Sequence, residues 1–246
     1  MVTEAAKAQR ETGGSSEHTG RAEVTRQVDA ERTWKPYQVM YEVIKALREL
    51  ESGSILEVTT RGDEGLLNDL QIWSEVTGHT LIASQRQAND TARSLIRKGE
   101  PQSNDHRMTV VISTASLEHV VYPLDKALAG SVLGMEVNVV FEGAGVRLLQ
   151  RGYRAKLSGV VGRIFTPMVE RVMKREIGWP LPQASILILE DLGAHFYACG
   201  PSMFGYGVRK EELMVEPCTI AAVVTWADLL SRSDIQVFSK AQFEKP

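Results

Sequence analysis

Apolar positions along the chain repeat with two periods, and each change of period predicts a change of element. Val39, Val43, Ala46, Leu47 and Leu50 recur at helical spacing, with Pro36 in the first turn, where its missing N–H leaves nothing unsatisfied. Gly53 ends that helix. Residues 55–59 predict a strand, and Leu66, Leu67, Leu70, Trp73 and Val76 mark a second amphipathic helix that stops at Gly78. Short strands are expected near residues 80–83 and 92–96, and a further short segment ends at Trp34. The order β-α-β-α-β-β over residues 27–98 predicts a small two-layer sandwich with its helices on one face of the sheet.

A polar stretch at 99–106, broken by Gly99 and Pro101, reads as a linker, and the pattern beyond it changes. Residues 108–112 are short, apolar and β-branched, which suits a strand covered on both faces of a parallel sheet. A helical repeat from Val120 to Leu133 and a second strand over 136–141 complete a β-α-β crossover. Residues 151–167 show no clear period and carry Arg151, Arg154, Lys156 and Arg163 without an acidic residue, so they read as a basic loop. A helix is expected from Pro167 to Ile177, broken by residues 178–182, then a buried strand over 185–189 and another from His195 to Cys199. A short helix opened by Pro201 follows. The last helix is expected to start at Cys218 and run through Ile220, Val223, Val224, Ala227 and Leu230 to a strand at 235–238. Residues 107–246 therefore predict a doubly wound, mainly parallel α/β sheet domain.

Composition narrows the classes of function. A chain of 246 residues has room for two domains, and a net charge of −3 argues against a general nucleic-acid partner. No window reaches the apolar length of a membrane span. Residues 1–26 are polar and read as a flexible tail without the apolar core of a leader peptide, which makes the cytoplasm the expected compartment. The two cysteines are there expected to be thiols or transient redox groups. Gly143-x-Gly145 offers either a weak dinucleotide fingerprint or a tight turn; the third glycine position is Leu148, and the pair follows the second strand of its unit. No acid–base dyad, zinc-ligand set or phosphate loop is present in the pattern, so no metal or cofactor is expected.

The chemistry converges on residues 195–207. A buried strand delivers the Cys199 thiol to its carboxyl end, Gly200 and Pro201 turn the chain, and the N–H groups of Ser202 and Met203 are placed to stabilise a thiolate. A cysteine with an ordinary pKa near 8.5 is only about 3% thiolate at pH 7, so reactivity needs such help. His195 lies four residues away on the same strand face, roughly 13 Å in extended chain, and reads as structural. On the residues alone Cys199 is as readily an inert buried thiol as a reactive one. Cys218 is either a resolving partner for it or a small buried residue.

Two resemblances alter that balance. Residues 29–40, which run from Asp29 through Lys35, Pro36 and Tyr37 to Met40, together with Asn68-Asp69-Leu70 and Gly78-His79, resemble the TusA (SirA-like) family of small sulfur carriers, over nearly all of 27–98. That family bears its sulfur on the cysteine of a Cys-Pro-x-Pro motif. Here Lys35 stands at the cysteine position and Gln38 at the second proline, so the resemblance implies a carrier's shape without a carrier's thiol. Lys35 reads as a docking charge for a partner or as a solvated residue at a helix start.

Residues 108–239 resemble the DsrE/DsrF-like family through Tyr197-Ala198-Cys199-Gly200-x-Ser202-Met203, Gly207-Val208, Glu211-Glu212-Leu213 and the turn at Leu133–Val137. In that family the cysteine at this place takes up and passes on sulfane sulfur as a persulfide, and subunits assemble as trimers or larger oligomers. The two resemblances imply a sulfur-relay protein, a sulfurtransferase or sulfur carrier, with donor and acceptor proteins as partners. The basic loop then offers attraction for an anionic sulfur species or an acidic partner, or a plain solvated surface or subunit contact. Two other classes stand beside this one: a non-enzymatic oligomeric scaffold, and a thiol redox protein pairing Cys199 with Cys218.

Overall fold

The structure, a computed structural model, describes residues 23–32, 35–87, 89–102, 104–174 and 180–240. Most of the expected tail, Trp34, residues 175–177 at the end of the helix expected from Pro167, and residues 178–179 of the expected break lie outside the described residues. Arg26–Asp29 forms β1, Pro36–Arg48 α1, Ile55–Arg61 β2, Glu64–Val76 α2, Thr80–Arg86 β3 and Thr91–Arg97 β4. The sheet order is β1-β2-β4-β3, with β1 parallel to β2 and the other pairs antiparallel. Lys35 is the N-cap residue of α1 and Pro36 opens the helix. Val39, Met40, Val43, Ala46 and Leu47 are buried, which is the stripe the sequence period requires. Asp63 caps α2 by accepting a hydrogen bond from the Leu66 N–H at 3.0 Å.

The second sheet is all parallel. Arg107–Ile112 (β5), Glu136–Phe141 (β6), His195–Cys199 (β7), Cys218–Ala221 (β8) and Ile235–Phe238 (β9) lie in the order β8-β7-β6-β5-β9. β5 and β6 are buried at every position after the first, as strands covered on both faces must be. One face is covered by Leu117–Val132 (α3) and Pro182–Asp191 (α5), which pack together, and Val223–Ser231 (α7) sets Trp226 against Val111 and Val140 on the other. The remaining helices are Gly159–Val172 (α4) and Gly200–Tyr206 (α6). Gly143–Leu149 is a 3₁₀ helix, so the Gly143-x-Gly145 pair makes a tight strand exit. Gly145 is required there: a Cβ would stand 2.1 Å from the Ile112 carbonyl oxygen.

Three expected elements change. Residues 185–189 are helical, not a strand: Pro182 starts α5, and Ser185, Ile186 and Leu189 turn inward at helical spacing while Leu187 faces solvent. A short apolar run does not reveal its own period, and the register against α3 settles it. Most of the expected basic loop is α4, with Pro167 inside the helix and the Thr166 hydroxyl donating to the Gly162 carbonyl at 3.1 Å. Cys218 opens a strand rather than the last helix, which begins at Val223.

The apolar core runs continuously through both sheets, because α3 packs on β5, β6 and α5 and also meets α1. The Trp73 indole N–H donates to the Val132 carbonyl across this seam at 2.8 Å, and Arg48 Nη1 lies 3.0 Å from Asp191. Residues 99–102, expected as linker, lie against the end of α2: the Gly99 N–H donates to His79 Nδ1 at 3.1 Å, and the Gln102 N–H to the Thr77 carbonyl.

Candidate functional site

Strand β7 delivers Cys199 to the carboxyl edge of the parallel sheet. Phe196 and Ala198 face the large core; Tyr197 and Cys199 face the side of Trp226, whose ring meets Tyr197 edge-on at 6.2 Å between centroids. Cys199 is half-buried, borders both apolar clusters, and pairs in register with Ala221 of β8. It is also the N-cap residue of α6, with φ −70° and ψ 111°. Its side chain makes no cap hydrogen bond, and α6 is only seven residues long.

The predicted neighbours take distinct roles. A Cβ on Gly200 would meet Ile220 Cγ2 at 3.3 Å, so glycine lets the turn close against β8. The Ser202 hydroxyl accepts the Gly143 N–H at 2.9 Å and ties the start of α6 to the turn after β6. Met203 is buried in the core, and its carbonyl accepts the Val208 N–H as Gly207, at φ +66°, ends the helix. His195 is exposed at the opposite end of β7.

Cys218 is not brought to Cys199. It pairs with Phe196, three residues along the ladder from Ala221, which puts the thiols about 10 Å apart along the strands; a disulfide needs Cα atoms within about 7 Å. It borders a cavity of about 480 Å³ that Arg151 and Lys210 also line, and burial pushes its thiol up to about 11. Lys35 is paired within the chain and part-exposed. Its Nζ lies 3.3 Å from Asp125 Oδ2 of α3, and the Tyr37 hydroxyl donates to Oδ1 at 2.8 Å. Burial and that carboxylate hold the Tyr37 proton well above the ordinary phenol range.

The sequence reading passed over a polar group at the same edge of the sheet. Ser113, just after β5, donates to Glu142, just after β6, at 2.9 Å, and the Ser239 hydroxyl accepts the Ser113 N–H at 2.8 Å. Their shared signal was position: each is the first residue beyond a parallel strand.

Residues 106–238, which hold this parallel sheet and Cys199, match the DsrE/DsrF-like family, and the chain belongs to that family. Its N-terminal part is 47% identical over 55 residues to YrkI of Bacillus subtilis (strain 168), a protein named as a candidate sulfur carrier; the match spans 22% of this chain and 71% of that one. The crystal structure of the ychN protein from E. coli aligns with 54% of this chain and 98% of its own, at 14% identity and a TM-score of 0.39.

Proposed function

We propose that this protein serves in a sulfur relay, with Cys199 as the atom that holds the sulfur in transit. The observation that carries the reading is a half-exposed thiol at the carboxyl edge of a parallel sheet, where open α/β sheets bind ligands, in a chain of the DsrE/DsrF-like family. The likeness of the N-terminal part to a candidate sulfur carrier supports the same pathway class. In the step, the Cys199 thiolate attacks the outer sulfur of a donor persulfide. The donor's S–S bond breaks, a new S–S bond forms, the donor leaves as a thiolate and the proton stays on the transferred sulfur. No outside oxidant or reductant is needed. A partner thiolate then repeats the attack on Cys199–S–SH. Gly200 lets the turn that carries the thiol close against β8, and Ser202 holds that turn through Gly143. Lys35, without a thiol and turned toward Asp125, leaves the N-terminal unit as a fixed companion.

Intact-mass spectrometry after exposure to a persulfide donor tests the reading. The wild type and Cys218→Ser gain sulfur, and Cys199→Ser does not. No added sulfur on the wild type, or equal labelling of Cys199→Ser, overturns it.

A further inference from the structure

The feature that the sulfur chemistry leaves unused is the outer face of α4. Val160, Val161, Ile164, Phe165 and Met168 are between 53% and 78% exposed. At 100° per residue they fall within an arc of about 140°, opposite the buried Thr166 and Met173. Arg163 and Lys174 lie on one flank of the arc, Arg171 sits just inside that edge, and Arg151, Arg154 and Lys156 precede the helix; all six are exposed. Residues 151–174 thus carry six basic side chains against one acidic, Glu170, in a chain whose net charge is −3. Among the described residues, none of the six is held in an ion pair.

We propose that α4 is an interfacial helix that seats this protein on an anionic lipid surface. Contiguous exposed apolar side chains of this size mark a binding face, and the flanking cations select an anionic partner. Charge favours a lipid surface over a second copy of the chain. Phe165 and Met168 edge an apolar cavity of about 550 Å³ shared with Val121 and Tyr122 of α3, while Val160, Val161 and Ile164 lie outside it and are exposed, so these side chains can enter the acyl boundary while the arginines reach the headgroups. A self-contact through α4 would instead bring two strongly basic segments together. Among the described residues no helix is long and apolar enough to cross a membrane.

The test is co-sedimentation of the full chain with vesicles of phosphatidylcholine alone and of equal parts phosphatidylcholine and phosphatidylglycerol. Binding is expected to the anionic vesicles only and to weaken as salt rises. Arg163→Gln and Arg171→Gln should each lower the partition coefficient about fivefold at low salt, at about 1 kcal/mol per surface cation. Ile164→Glu should abolish binding with an unchanged circular dichroism spectrum. Absence of binding to either vesicle overturns the proposal. So does equal binding to both vesicles, or an Ile164→Glu protein that loses an oligomer in light scattering yet binds vesicles as the wild type does, since the last result would assign the face to a second copy.

Discussion

Cys199 and Cys218 differ in surroundings more than in sequence context. Both sit on neighbouring strands, but Cys218 lies at the start of β8 with a thiol pushed up to about 11 by burial. A folded-state pKa above the unfolded value of about 9 means that the native state keeps its proton longer, so the contribution to stability is complete below pH 9 and is lost between pH 9 and 11. Cys218→Ala should therefore flatten the fall in urea midpoint over that interval, and its unchanged slope would show that another group titrates. Ser202 offers a second check on the same corner. Ser202→Ala removes the acceptor of the Gly143 N–H and should cost about 1 kcal/mol in chemical denaturation, while Ser202→Thr, which keeps the hydroxyl, costs less. The thiol at 199 was legible from its place after an apolar run and before Gly-Pro. That Cys218 is too far away to resolve it was not, because the separation depends on the register of β7 against β8.

Local chemistry decides where the helices begin. Asp63 was not singled out by the apolar period, yet its carboxylate caps α2; Asp63→Ala should lower stability by about 1 kcal/mol and Asp63→Asn by much less, read as thermal midpoints. His79, at the end of the same helix, is kept below the ordinary imidazole pKa by burial and by the Lys98 charge, so its Nδ1 accepts the Gly99 N–H. A lowered folded-state pKa gives stability that is present above about pH 6.5 and lost as the pH falls below it. The wild type should lose stability on acidification through that window more steeply than His79→Gln. Strand and helix runs were readable where the apolar stripe was long, as in α1, α2 and α3. They were not where a run was short: residues 185–189 fit either period, and their inward face is set by packing on α3.

The seam between the two sheets turns on Asp125. It receives Lys35 Nζ and the Tyr37 hydroxyl from the segment that opens α1, and it is almost buried, at 13% exposed against 24% for Lys35. Asp125→Ala leaves both donors without that acceptor and should cost about 1.5–3 kcal/mol. Hydrogen exchange should rise on both α1 and α3, whereas a local effect would raise it on α3 alone. The apolar and polar periods, Pro36, Gly53, Gly78 and the Gly-Pro after Cys199 were enough to predict a small βαβαββ layer followed by a parallel α/β sheet, since each acts within a few residues of the chain. The partner of Lys35, the distance between the thiols, the helix at 185–189 and the exposed face of α4 depend on residues brought together from far along the sequence, with 90 positions separating Lys35 from Asp125. No local pattern encodes such a meeting; it exists only once helix α3 has packed against the second sheet on one side and α1 on the other.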